Sequence, residues 1–185
     1  VVPPDFKMEV VRDQSRFIKR SLEEINFHLL LGAMLVALTT FAFLHDWRGT
    51  LIACVAIPTS IIATFVLIKA MKLTLNTITL LGLTLAVGIV IDDAIVVLEN
   101  IVKFVDEKGM NPRKAAIYAT REIGMAVLAT TLSLVAVFLP VAFMGGIVGR
   151  FMASFGYTMS FSIMVSLIVA FSLTPMLSSR WLKQK

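Results

Sequence analysis

Two adjacent carboxylates, Asp92 and Asp93, lie in the middle of the nearly uninterrupted apolar stretch LAVGIVIDDAIVVLEN, residues 85–100. A carboxylate at the centre of a bilayer costs about 2.5–3.5 kcal/mol on insertion scales, and neighbouring acids resist joint ionisation. Such a pair therefore indicates a function: a proton relay, a metal-ion site or an intramembrane catalytic acid. The structural alternative is a buried acid neutralised by a permanent basic partner. No Lys or Arg lies in the middle of an apolar stretch, so that partner would come from elsewhere.

The composition is that of a membrane protein. Of 185 residues, 58% are hydrophobic and only 16% are charged, compared with roughly 25% charged residues in soluble domains. The net charge is +5, but the basic residues cluster between the apolar stretches, which is typical of membrane loops and argues against a nucleic-acid partner. The single cysteine, Cys54, lies in an apolar stretch and is interpreted as a small hydrophobic residue.

Five apolar stretches are long enough to cross a bilayer, which takes about 20 residues of helix. Their uniform hydrophobicity excludes alternating barrel strands. The sequence therefore predicts an all-α membrane protein, a five-helix transmembrane bundle over residues 26–178. The expected spans are about 26–44, 49–68, 75–101, 123–143 and 155–178.

The remaining segments flank or connect these spans. Residues 1–25 are expected to form the end of a periplasmic segment and an amphipathic lead-in helix, and residues 179–185 a cytoplasmic tail. Gly109 predicts a helix stop, and Asn111-Pro112 is typical of a helix start. A short cytoplasmic interfacial helix is therefore predicted over about 112–122.

The charge distribution predicts an orientation. An odd number of spans places the two termini on opposite sides of the membrane. With a cytoplasmic C-terminus, the inside segments carry nine Lys and Arg residues and the short outside loops carry three, as the positive-inside rule expects. The basic residues before the first span, which would lie outside, do not follow this bias.

Helix geometry predicts what surrounds the acids. Successive residues of an α-helix are about 100° apart, so Asp92 and Asp93 point to different parts of one broad sector. Gly82 and Ala86 share the stripe of Asp93 and form a small-xxx-small pair, which predicts close packing against another helix.

A polar track is expected below the acids. Glu99 and Asn100 follow Asp92 and Asp93 by seven residues each, and would continue their two stripes to the cytoplasmic end of the helix.

The spacing argues against an intramembrane enzyme. Intramembrane aspartyl proteases carry their two acids on different helices, and diphosphate-binding enzymes use Asp-Asp-x-x-Asp, where this chain has Val96. Few further oxygen ligands are near enough for a metal site. No catalytic residue, metal ligand or cofactor is therefore predicted.

The motif GIVIDDAIVVLEN resembles the fourth transmembrane helix of resistance–nodulation–division (RND) exporters, in the hydrophobe/amphiphile (multidrug) branch. FLHDWRGTLIACVAIPTS, NPRKAA, TLSLVAVFLPVAFMGGIVGRFMASF and LTPMLSSRWL are similar to the same branch. The resemblance covers nearly the whole chain. It implies that the five spans are helices two to six of the N-terminal half, one repeat of a two-repeat transporter.

The resemblance also implies a mechanism, drug/proton antiport across the bacterial inner membrane, with the proton as coupling ion. Asp92 and Asp93 would take up protons from the periplasm and release them. A C-terminal half would supply a lysine as their basic partner. The implied assembly is a homotrimer with a periplasmic adaptor and an outer-membrane channel, and the N-terminus of this segment would be periplasmic.

Other functions are compatible with the sequence. Within the superfamily, the alternatives are a lipid exporter or a protein-translocation accessory. In either of these, the acid-bearing helix should differ from this sequence around Asp92 and Asp93. A small channel fits less well, because the acids have no partner here and the chain, which starts without Met, is expected to be part of a longer protein.

Overall fold

The computed structural model describes residues 15–44 and 46–182, and all regular secondary structure within them is helical. The prediction of an all-α fold is confirmed. Most of the predicted periplasmic segment and the end of the C-terminal tail lie outside the described residues. The helices are α1 (Ser15–Leu44), α2 (Trp47–Ala70), α3 (Thr77–Asp106), α4 (Pro112–Ala142) and α5 (Gly146–Trp181).

Polar side chains cap the start of three helices. Asp46, Asn76 and Asn111 each accept main-chain N–H groups from the first turn of α2, α3 and α4. At α3 the cap is reciprocal, because the Thr79 hydroxyl accepts the N–H of Asn76 at 2.8 Å. Pro112 follows Asn111 as the first residue of α4, as its sequence predicts.

Four of the helices, α2 to α5, are long and apolar enough to cross a membrane. They contain the predicted spans 49–68, 75–101, 123–143 and 155–178. In α1 the apolar segment Leu30–Ala42 is shorter than the other four. The first of the five predicted spans, 26–44, therefore stays a prediction.

Residues 112–122, predicted as a cytoplasmic interfacial helix, form the first third of α4, which runs without interruption from Pro112 to Ala142. Their position at the membrane surface stays a prediction. Ala115, Ala116 and Ala119 are buried against the end of α3. The small alanine side chains let α4 pack closely on α3.

Helix α5 packs against α2, α3 and α4, whereas α3 contacts all four of the other helices. One face of α5 carries small side chains at four-residue spacing, and all of them are buried. Small residues let helix backbones approach closely. They are Thr158, Ser162, Ser166, Ala170, Thr174 and Ser178.

Candidate functional site

Asp92 and Asp93 lie at the middle of α3. Fifteen of the 30 residues of the helix precede Asp92. At 1.5 Å per residue, each end of the helix is roughly 22 Å away. The hydrocarbon core is about 30 Å thick, so a helix that crosses it symmetrically places both acids near its centre.

Asp93 faces the hydroxyl groups of two neighbouring helices. Thr131 on α4 donates a long hydrogen bond of 3.5 Å to the Asp93 carboxylate and a shorter one of 2.7 Å to the carbonyl of Val127. Ser166 on α5 lies beside the same carboxylate and donates to the carbonyl of Val90 at 2.7 Å. Asp93 is therefore surrounded by groups that both donate and accept hydrogen bonds.

Asp92 points to a different side of α3. It is exposed, together with Leu85, Gly88, Val96 and Glu99, which share its face of the helix. A Cβ added at Gly88 would meet no atom within 4 Å. We call these five residues the acid face, and no helix of the described chain covers it.

The side of α3 that carries Asp93 packs tightly on α5. A Cβ at Gly82 would lie 3.2 Å from a ring carbon of Phe155. Ala86 is 1% exposed and belongs to an apolar cluster with Met159 and Ile163. The small side chains of Gly82 and Ala86 thus bring α3 close to α5, about two helical turns before the acids.

The two residues of the expected polar track have different surroundings. Asn100 donates from its side-chain amide to the carbonyl of Ala119 on α4 at 2.9 Å, and lies 3.5 Å from Glu122. It therefore joins α3 to α4. Glu99 lies on the acid face with Asp92 and lines a cleft beside α1.

This cleft has a volume of about 600 Å³ and lies between the ends of α1 and α3. Thr40 at its wall is 3% exposed, and its hydroxyl has no hydrogen-bond partner among the described residues. Within residues 15–44 and 46–182, no group of three or more His, Cys, Asp or Glu side chains is placed to hold a metal ion. The cleft is lined by Thr39, Thr40, Ile95, Glu99, Val102, Lys103, Asp106 and Glu107.

Thr131 and Ser166 were not predicted from the sequence. For Ser166 there was a signal, because Thr158, Ser162 and Ser166 repeat every four residues in an otherwise apolar span. This spacing places their hydroxyls on one side of the helix. Thr131 lies in a Thr-Thr-Leu-Ser run, which does not show which hydroxyl points inward.

Long apolar helices, packed around a helix that carries two carboxylates at its middle, define a multi-pass membrane protein. Comparison with known proteins gives the family. The model of the AcrB/AcrD/AcrF family matches residues 1–185, and the chain belongs to this family. The resemblance to multidrug RND exporters is thereby confirmed.

Several curated relatives share the name multidrug resistance protein MdtC. The chain is 46% identical over 183 residues to the protein of Pantoea ananatis (strain AJ13355), which is 99% of this chain. It is 45% identical over 182 residues to the protein of Escherichia coli O139:H28 and 44% identical over 182 residues to that of Pectobacterium atrosepticum, each 98% of this chain. The chain spans 18% of the length of these relatives.

Proposed function

We propose that this chain is the proton-coupling part of a multidrug exporter of the bacterial inner membrane. The family and the names of the relatives support the transport class. The observation that carries the coupling role is the divergence of the two acids. Asp93 faces Thr131 and Ser166 inside the bundle, whereas Asp92 lies on the uncovered acid face.

The hydroxyls around Asp93 suit both states of a proton carrier. The protons of Thr131 and Ser166 are engaged by main-chain carbonyls at 2.7 Å, so their oxygens keep lone pairs that accept from a protonated carboxyl. A hydroxyl rotates freely and can donate to the ionised carboxylate instead. Asp93 can therefore gain and lose a proton without a permanent counter-charge from α4 or α5.

The acid face is where the other half of the transporter would pack. It combines a carboxylate, Asp92, with the bare backbone of Gly88, which permits close approach of another helix. We propose that a C-terminal half places a lysine against Asp92 and Asp93. Protonation of the acids weakens this attraction, and the helices then shift.

Protons would leave toward the cytoplasm through the cleft beside α1. Glu99 lies on the acid face two helical turns after Asp92 and reaches this cleft. It is thus a further carboxylate between the central acids and the end of the helix. The orientation rests on the loop charges, with residues 1–25 on the periplasmic side and the C-terminus in the cytoplasm.

The same proposal extends to the assembly. Members of the family to which the sequence belongs are expected to act as homotrimers with a periplasmic adaptor and an outer-membrane channel. Substrate selection would then lie outside these 185 residues, and the segment would supply the energy-coupling step.

The test is the loss of the titratable group without a change of shape. In the full-length transporter, Asp92→Asn and Asp93→Asn are expected to abolish dye efflux driven by an imposed pH gradient in membrane vesicles, at normal protein levels. Asp46→Asn is the matched control, because asparagine also caps a helix. Wild-type efflux in both central variants would contradict the proposal.

A further inference from the structure

A shallow groove lies at one end of the bundle, where α2 begins and α5 ends. Its volume is about 350 Å³, and its lining is Trp47, Arg48, Leu51, Arg180 and Trp181. Arg48 joins the two helices by donating from Nη1 to the main-chain carbonyl of Trp181 at 3.0 Å. We call this the Trp–Arg groove. It is separate from the acids at the middle of α3 and from the cleft beside α1.

The groove carries an excess of positive charge. Arg180 is exposed, and Arg48 is half-buried with its guanidinium carbon 5.5 Å from the centre of the Trp47 ring. A guanidinium has five N–H donors, and the bond to Trp181 uses one of those on Arg48. The neighbouring acid is Asp46, whose carboxylate accepts the main-chain N–H of Arg48 at 3.2 Å as the cap of α2.

The apolar part of the groove is open to its surroundings. Trp47 is 60% exposed, Trp181 42% and Leu51 43%. Both indoles lie at the ends of helices that are long enough to span a membrane. Tryptophan is enriched at this level, where its ring contacts both headgroups and acyl chains. The groove therefore lies at the membrane surface, with cations and apolar rings side by side.

We propose that the Trp–Arg groove binds an anionic phospholipid. The headgroup phosphate lies between Arg48 and Arg180, because guanidinium groups bind phosphate through paired hydrogen bonds. Trp47, Trp181 and Leu51 contact the glycerol and the first acyl carbons. Basic pockets between membrane helices are suited to such headgroups.

A bound phospholipid would contact more of the residues that line the groove than a free phosphate ion would. A dissolved anion would use the two arginines and leave the exposed surfaces of the Trp47 and Trp181 rings uncovered. A bound lipid also joins the first turn of α2 to the last turn of α5. It thereby reinforces the link that the Arg48 hydrogen bond makes between the two helices.

The first experiment measures lipid binding to the purified full-length protein by native mass spectrometry. Phosphatidylglycerol and phosphatidylcholine with the same acyl chains are compared, and the wild type is expected to bind phosphatidylglycerol more tightly. Since one basic residue near a membrane surface contributes about 1 kcal/mol, Arg180→Gln is expected to weaken phosphatidylglycerol binding by about fivefold. Phosphatidylcholine binding should not change.

Arg113→Gln is the matched control, because Arg113 is an exposed arginine at the start of α4 that does not line the groove. It should leave both affinities unchanged. Arg48→Lys provides a second variant that keeps the charge but loses the paired geometry, and it too should weaken phosphatidylglycerol binding. Equal affinity for the two lipids, or equal losses in Arg180→Gln and Arg113→Gln, would overturn the proposal.

A second experiment locates the lipid. Phosphatidylglycerol with brominated acyl chains should quench tryptophan emission, and the quenching should decrease when Trp47 and Trp181 are both replaced by Phe. Unchanged quenching in this variant places the lipid elsewhere and contradicts the proposal. Displacement of the lipid by millimolar inorganic phosphate would identify a site for the free anion instead, and would also contradict it.

Discussion

Ser166 of α5 donates a hydrogen bond of 2.7 Å to the main-chain carbonyl of Val90, one helical turn before Asp93 on α3. The bond joins α5 to α3, the helix that carries the acids, at the level of the acids. Because the acceptor is a main-chain atom, the bond fixes the position of the whole helix, and with it the position from which Asp93 projects. The same hydroxyl lies beside the Asp93 carboxylate.

Ser166→Ala is expected to lower the free energy of unfolding by about 0.5–1.5 kcal/mol, since it removes a buried hydrogen bond between helices. Denaturation in mixed micelles, followed by circular dichroism, measures the loss. Ser172→Ala is the control, because Ser172 is exposed and its hydroxyl bonds within its own helix, to the carbonyl of Ile168. Equal losses in the two variants would show that the hydrogen bond between α3 and α5 contributes no more to the free energy of unfolding than a bond within one helix.

Gly156→Ala is expected to destabilise the bundle. The added Cβ would lie 2.5 Å from the main-chain nitrogen of Ala142, so the backbone must move, at a cost of about 1–3 kcal/mol. The control is Gly124→Ala, also in a helix, where the added carbon would lie 3.8 Å from the ring of Phe171, an ordinary contact. The same denaturation experiment compares the two, and similar stability of both variants would contradict this account of the α4–α5 contact.

Asn76→Ala is expected to lower stability by about 1 kcal/mol, because it removes the side-chain oxygen that caps the start of α3. That oxygen accepts the N–H groups of Ile78 at 2.9 Å and Thr79 at 3.0 Å. Asn76→Asp keeps the acceptor and should retain most of the stability. A loss of equal size in both variants would mean that the amide group, and not the cap, is what matters.

Glu99→Gln is expected to slow proton-driven export without abolishing it, because the cleft beside α1 still opens near the acid face. The decrease should be smaller than in Asp92→Asn or Asp93→Asn, and protein levels should not change. Efflux in vesicles at several pH values measures the effect. Glu24→Gln, an exposed carboxylate near the start of α1, is the control. Export at the wild-type rate in Glu99→Gln would exclude this carboxylate from the proton route.

The apolar spans could be predicted from the sequence because a membrane imposes a minimum length on each helix. Runs of about 20 apolar residues therefore located α2 to α5 without any knowledge of packing. The start of α3 at Thr77, two residues later than the predicted span, follows from the Asn76 cap. The middle position of Asp92 and Asp93 follows from the same run lengths.

The relations between helices could not be predicted in this way. The sequence of residues 112–122 predicted a helix at the membrane surface, but it did not show that three alanines on one face pack against α3. Asn100 was expected to follow Asp93 along a polar track, and its bond to the carbonyl of Ala119 on α4 was not predicted. Such contacts depend on which helices become neighbours, and periodicity within one helix does not show this.

Because α4 is continuous, a movement at one end of this helix displaces the residues further along it. Its contacts with α3 include two polar ones, where Ala119 accepts the amide of Asn100 and where Thr131 meets Asp93. Twelve residues of rigid helix separate Ala119 from Thr131, a distance of roughly 18 Å. If α4 pivots at the Ala119 contact, a tilt of the helix by about 5° moves Thr131 by roughly 1.6 Å. Because the Asp93–Thr131 contact exchanges donor and acceptor when Asp93 gains a proton, a change in its length would tilt α4, and spin-label distances between the two ends of α4 and α3 would record that motion.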